Sequence, residues 1–264
     1  MRLFPIRTRT VNVGDGLVEL ILESLGAERL VLADNDVLAL TSKVVSFSEG
    51  RVVKLSDVKP SAEGKRLAEQ YGLEPEFAEL VVREAEQICG GVEKAVLTLK
   101  HGVLIANAGM DNKNAPAGCV VLWPADPERT VAEVRAEILR ETGRSVGVMV
   151  VDSGLIPLRI GTIGLALAVA GFRPIRDERG RLDVFGRRIT ITRQAVADDL
   201  ACAAHLMMGE AEQRVPAVLI RDAPVEFDGG VYGSGDMMMP FRECLFMNVV
   251  GKNGSNVEGR SNRT

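Results

Sequence analysis

The sequence predicts an α+β fold in which mixed sheets are flanked by helices. Three observations carry this expectation. Apolar runs of strand length recur from Arg2 to Arg221, amphipathic helical stretches stand between them, and the two mix without a regular βαβ rhythm. With 264 residues, 46% of them hydrophobic, the chain can bury a sizeable core and an enclosed site. One domain is expected over residues 1–250. The remainder, 251–264, is polar apart from Val257 and reads as a disordered tail.

The elements follow in order. Arg2 to Ile6 reads as a strand and Leu17 to Leu25 as a helix. Asp36 to Val45 is a buried strand that runs into the polar triplet Thr41-Ser42-Lys43, and Arg51 to Leu55 is a short strand after the Glu49-Gly50 turn. Helices are expected over Ser61–Tyr71 and Pro75–Ile88, with Gly72 as a stop and Pro75 as a start. Ala95–Lys100 and Val103–Ala106 form a hairpin through His101-Gly102, and Cys119–Leu122 is a strand closed by Pro124. Thr130–Glu141 is an amphipathic helix with Val131, Val134, Ile138 and Leu139 inward, ended by Gly143. Val146–Val151 is a strand leading to Asp152, and the Gly/Ala-rich run Ile160–Phe172 implies close backbone approach. A short strand at Ile189–Thr192, a helix at Arg193–Met208 and a strand at Val215–Arg221 complete the series. Ala195, Val196, Leu200, Ala203 and Met207 mark that helix's apolar side. Gly229 to Gly235 reads as a loop and Met237-Met238-Met239 as packing material.

Composition narrows the function. A net charge of −4 and only 4% aromatics argue against a nucleic-acid partner. The N-terminus has no apolar signal core and no apolar run reaches spanning length, so a cytoplasmic protein without membrane contact is expected. Cys89, Cys119, Cys202 and Cys244 form no Cys-x-x-Cys pair and read as reduced and structural. With only His101 and His205, neither beside a nucleophile motif, a zinc site or a Ser-His-Asp triad is poorly supported. His205 reads as a core or surface residue.

Chemistry concentrates in three loops. Asn107-Ala108-Gly109-Met110-Asp111-Asn112-Lys113-Asn114 places an acid and amides just past a strand, and Asp152 follows another strand. Two strand-end aspartates suit a divalent cation, which needs oxygen ligands on a rigid frame; either alone could be a turn former. Thr41 to Arg51 offers hydroxyls and Lys43 for phosphate, or a solvated turn, and lacks the Walker pattern. Met208-Gly209-Glu210-Ala211-Glu212-Gln213 ends a helix, where an acid opposes the helix dipole; Glu210 could ligate a metal or be solvated. Asp177–Asp183 with Arg187-Arg188 reads as a solvated hairpin. Asp198 and Asp199 stay open between the surface and a supporting or dimer-contact role.

Together these segments resemble the coenzyme F420-0:L-glutamate ligase family. The resemblance runs from Phe4-Pro5 to about Arg221. It rests on Leu40 to Ser46 with Glu49-Gly50-Arg51, Asn107 to Asp111 with Asn114, Val151-Asp152-Ser153, Gly164 to Gly171, Asp183 to Arg187, Val196 to Ala201, Leu206 to Glu210 and Val215 to Val218. The resemblance implies a two-lobed, dimeric γ-glutamyl ligase fold and a GTP-dependent amide ligase that joins L-glutamate to F420-0 through an acyl phosphate. It implies Mn²⁺ or Mg²⁺, with K⁺ as a further cation. Carried over by position, Asp111, Asp152, Ser153 and Glu210 would hold the divalent cations, Asp111 and Asp152 being central to catalysis. Thr10, Val11, Asn12, Ser42, Lys43, Asn114 and the loop Met208, Gly209, Glu210, Ala211, Glu212, Gln213 to Val215 would contact GTP.

Two departures stand out. Phe47 replaces a lysine common in the family, and Leu155-Ile156 replaces a Gly-Arg pair, which leaves Lys43, Lys113 or Arg159 to supply charge. Three alternatives remain: a γ-glutamyl ligase for another carboxylate cofactor such as a folate, a nucleotide-binding subunit that has lost catalysis, or a simple phosphotransferase without an amine acceptor.

Overall fold

A sheet buried on both faces carries the architecture. The computed structural model describes residues 1–247, so the expected tail at 251–264 lies outside the described residues. The main sheet has six strands: β1 (Arg2–Ile6), β2 (Val37–Thr41), β8 (Gly147–Leu155), β9 (Thr162–Phe172), β12 (Ala217–Arg221) and β13 (Phe227–Gly233), in the order β1-β12-β2-β8-β9-β13. Only β2 and β8 pair in parallel; the other neighbours are antiparallel.

Strand periodicity assigns the two faces. Leu38 and Leu40 of β2, with Val148 and Val150 of β8, enter a core shared with α1 (Leu17–Ala27) and α5 (Pro127–Thr142). Val37, Ala39, Met149 and Val151 point to the opposite core, against α6 (Val196–Met208). Ile6, Leu38, Leu40 and Leu219 have no exposed surface, and burying each contributes about 1.5–3 kcal/mol. The close approach expected of the Gly/Ala-rich strand is present: a Cβ on Gly164 would lie 2.2 Å from the Ala201 carbonyl of α6. At the far end of β2, buried Asp36 accepts from Arg221 Nε at 2.8 Å and Nη2 at 2.6 Å, closing β2 against β12.

A third core lies among smaller elements. These include α3 (Ala62–Tyr71), α4 (Pro75–Glu84), the pair β3 (Val52–Lys54) and β7 (Cys119–Val121), and the sheet β4 (Gln87–Val92), β5 (Ala95–Lys100) and β6 (Val103–Ala106). Mixed α+β architecture with several sheets and flanking helices is therefore what the chain adopts. Among the described residues no helix is long and apolar enough to cross a membrane.

Several boundaries differ from expectation. The strand expected to Val45 stops at Thr41, whose Oγ1 caps α2 (Ser42–Ser48) by accepting from the Val44 amide at 3.2 Å. The helix expected to Ile88 ends at Glu84, and the Gly-interrupted run after it pairs with β5 as β4. Asp152 lies inside β8 rather than at its end, because β8 and β9 stay paired out to Leu155. The short strand expected at Ile189–Thr192 forms instead as β11 (Arg193–Ala195), opposite β10 (Ile175–Asp177). The Gly229–Gly235 loop is mostly β13, an edge strand with a bulge, followed by α7 (Ser234–Met237). Leu139 and Met207 face solvent, as do Met238 and Met239, while Met237 packs against a core. All four cysteines are free.

Candidate active site

The parallel pairing of β2 and β8 builds one wall of the site. Thr41 stands opposite Val151, so residues just past Thr41 lie beside those just past Val151. The Thr41 cap then turns the chain and leaves Ser42 and Lys43 on the first turn of α2, with the Ser42 side chain hydrogen-bonded to Asp152.

Asp111 reaches the same place from the third core. Asn107, Ala108 and Gly109 all have positive φ, at 51°, 54° and 73°. Such geometry costs a non-glycine residue about 1–2 kcal/mol. Two contacts hold it: Asn107 Oδ1 accepts from the Val96 amide at 2.8 Å, and the Ala108 amide donates to Thr98 Oγ1 at 2.9 Å. The turn delivers Asp111 to Val121, with which it exchanges backbone bonds at 3.1 and 2.9 Å.

Lys43 connects the two acids. Its Nζ donates to Asp111 Oδ2 at 2.7 Å and to the Lys113 carbonyl at 2.7 Å, and its charge is felt at Asp152. Asp152 Oδ2 accepts from Trp123 Nε1, and Oδ1 accepts from the Ser153 amide at 2.7 Å. Burial pushes the Asp152 carboxyl up to about 6, against the downward pull of those donors and of Lys43.

The loop after α6 closes the opposite side. Glu210 Oε1 accepts from Thr162 Oγ1 at 2.6 Å and lies 2.8 Å from His205 Nε2. Burial alone would raise its carboxyl, but those hydrogen bonds outweigh it and hold the group below its ordinary value. Asn114 Nδ2 donates to the Ala211 carbonyl at 3.1 Å, tying the Asp111 loop to this one. The N-terminal segment completes the rim, its Asn12 amide fixed by Asp15 at 2.8 Å.

These parts enclose a cleft of about 760 Å³. Thr10, Val11, Asn12, Ser42, Lys43, Asp111, Asn114, Asp152, Ser153, Met208, Gly209, Glu210, Ala211 and Glu212 all line it, from five separate stretches of sequence. Gln213 does not; its Oε1 accepts from the Ala211 amide at 2.8 Å and shapes the loop from behind. Lys113 and Arg159 are also off the wall. The cations that line it besides Lys43 are Arg214, within the 208–215 loop expected to contact GTP, and Arg9, which adjoins Thr10 but was not itself among the expected residues. His205, read as a core or surface residue, lines the cleft. Trp123 was missed too, although the chain's only tryptophan at a strand end was a visible signal. Phe47 forms part of the wall, and the buried Ser46 Oγ on the same helix has no hydrogen-bond partner among the described residues. Asp198 is half-buried and accepts from the Ala166 amide at 2.9 Å, a supporting role on β9.

Among the described residues no group of three or more His, Cys, Asp or Glu side chains could hold a metal by itself. Asp111 and Asp152 fit a different mode. A hard cation can take one or two carboxylates and complete its shell with water and substrate phosphate oxygens. The donors here are oxygens, and a lysine ammonium already sits against one of the acids.

Fold and site thus define an α+β protein with a deep, acid-bearing cleft large enough for a nucleotide-sized ligand. Comparison with known proteins gives the family. The profile described as F420-0:Gamma-glutamyl ligase matches residues 5–222, and the chain belongs to that family. It is 39% identical to the coenzyme F420:L-glutamate ligase of Methanopyrus kandleri over 230 residues, 86% of this chain and 89% of the relative. The protein of the same name from Methanothermobacter thermautotrophicus is 37% identical over 84% of this chain and 89% of its own. That of Archaeoglobus fulgidus is 34% identical over 93% and 98%.

Proposed function

We propose that this chain ligates L-glutamate to coenzyme F420-0, using GTP and a divalent cation, Mn²⁺ or Mg²⁺. The observation that carries the reading is the meeting of Asp111, Asp152 and Lys43 in one cleft, in a chain whose relatives are named for glutamate ligation. Amide formation from a carboxylate and an amine needs an activated carboxyl. The GTP γ-phosphoryl group passes to a carboxylate oxygen of F420-0, the bond from γ-phosphorus to its bridging oxygen breaks, and GDP leaves. The glutamate amine then attacks the acyl carbon, the carbon–oxygen bond to phosphate breaks, and inorganic phosphate departs as the amine proton is lost to solvent.

Asp111 and Asp152, with Ser153 and Glu210 at the margin, would hold the cation, which neutralises phosphate charge and aligns transfer. Lys43 supplies fixed positive charge at the same point. Arg9 and Arg214 stand on the wall where Phe47 offers none. Thr10 to Asn12, Ser42, Asn114 and the 208–213 loop would contact the nucleotide. Enclosure protects the acyl phosphate from water. We place this chemistry in one domain over residues 1–250, in a two-lobed cytoplasmic protein that works as a homodimer. The exposed apolar side chains Leu158, Ile160, Val184, Phe185 and Ile191 support association with a second copy. K⁺ is a further cation in this reading, with no ligand assigned.

Phe47 in the cleft wall favours a second reading, an altered acceptor or a subunit that binds nucleotide without turnover. Incubating the protein with GTP, Mn²⁺ and hydroxylamine, with F420-0 or a folate as acceptor, separates these. Hydroxamate of F420-0 supports the proposal, hydroxamate of the folate moves the acceptor, and GTP binding without hydroxamate supports lost catalysis.

A further inference from the structure

We infer that Trp123 is a positioning residue for the cation: the chain's only indole sets the orientation of Asp152 and braces the turn that delivers Asp111. This rests on the proposed metal-dependent reading of the cleft. Trp123 follows β7 and is 2% exposed. Its Nε1 donates to Asp152 Oδ2, while Oδ1 is held by the Ser153 amide, so both oxygens of the carboxylate are oriented. Its ring lies against Gly109, where a Cβ would come within 2.2 Å of the indole. One side chain therefore touches both Asp152 and the turn two residues before Asp111.

The Trp123 main chain is itself held from behind. The Trp123 carbonyl accepts from Arg51 Nε at 2.9 Å, and Arg51 Nη2 pairs with Glu84 at 2.7 Å. Glu84 also pairs with the buried Lys100 of β5. This chain of charges runs from the three-stranded sheet through α4 to the Trp123 backbone, while the ring nitrogen donates to Asp152. Donors behind a ligating carboxylate commonly govern metal affinity by about 10- to 100-fold.

The test uses the full chain with Mn²⁺ and GDP as probes. Mn²⁺ binding is followed by electron paramagnetic resonance and, separately, by Trp123 fluorescence. Trp123→Phe keeps an aromatic ring against Gly109 and removes the donor; its Mn²⁺ dissociation constant should rise about 10- to 100-fold. In the native protein the fluorescence should change with the same midpoint as Mn²⁺ binding, and Asp152→Asn should abolish that response. The titration is repeated with diamagnetic Mg²⁺, which does not quench by proximity; a Trp123 that only packs beside the site would leave the Mg²⁺-bound emission unchanged. Unchanged Mn²⁺ affinity in Trp123→Phe, or native emission indifferent to bound Mn²⁺ or Mg²⁺, overturns the inference alone. Native protein that binds no Mn²⁺ with or without GDP overturns the inference together with the metal-dependent reading. The fluorescence titration needs no variant at position 123, so it decides the matter even if Trp123→Phe fails to fold.

Discussion

Asp152→Asn should stabilise the ligand-free protein near neutral pH and lose that advantage in acid. Burial raises the Asp152 carboxyl from 3.8 to about 6, so the folded chain binds this proton more tightly than the unfolded chain. Below about pH 3.8 both states carry the proton and there is no penalty. Between about 3.8 and 6 the unfolded chain has released it while the folded chain keeps it, so native stability falls as pH rises. Above about 6 the penalty is complete. A shift of this size, at about 1.36 kcal/mol per unit, amounts to about 2–3 kcal/mol. In a chain of this length that corresponds to roughly 4–12 °C in Tm. Asparagine keeps the shape without the charge, and its altered hydrogen bonds change little with pH. The readout is therefore the difference in Tm between variant and native protein at about pH 4 and about pH 7, without nucleotide or divalent cation. The gap should move in favour of the variant as pH rises. A gap that stays constant, or that moves toward the native protein, would refute a charge-penalised Asp152.

Three further outcomes follow from named contacts. Gly109→Ala places a Cβ at positive φ and against Trp123, and urea unfolding should show a loss of about 2–4 kcal/mol. Asp36→Ala leaves Arg221 without its buried partner and should cost about 3–5 kcal/mol in the same assay; a loss under about 1 kcal/mol would contradict the role given to that pair. Lys43→Met removes the cation beside Asp111, and calorimetry should show GTP affinity reduced about 10- to 100-fold, from a charged contact contributing about 1.5–3 kcal/mol.

Much of this fold was legible because its strands and helices carry strong periodicity. β2 and β8 read as buried strands from uninterrupted apolar runs, and Gly143 and Gly72 stop α5 and α3 in the left-handed conformation. What the periodicity could not show was where pairing ends. Thr41 stops β2 by capping, and Asp152 remains in β8 because β9 continues beside it. β4 and β13 were obscured by glycines, which the ladder tolerates through bulges. At the site, the residues expected to share a cleft do share one, apart from Gln213. Trp123, His205 and Arg9 were not assigned: His205 and Arg9 border segments that were, whereas Trp123 joins the cleft only through long-range pairing. The placement of Trp123 depends on Asp111 bridging Val121, a contact with no local signature.

The measurement that bears most directly on the central claim is mass spectrometry of F420-0 after incubation with the protein, L-glutamate, GTP and Mn²⁺, run beside Asp111→Asn. The account predicts added glutamyl mass with the native chain and none with the variant. Glutamyl addition undiminished in Asp111→Asn, or no addition by the native chain while GTP is bound and hydrolysed, would contradict it.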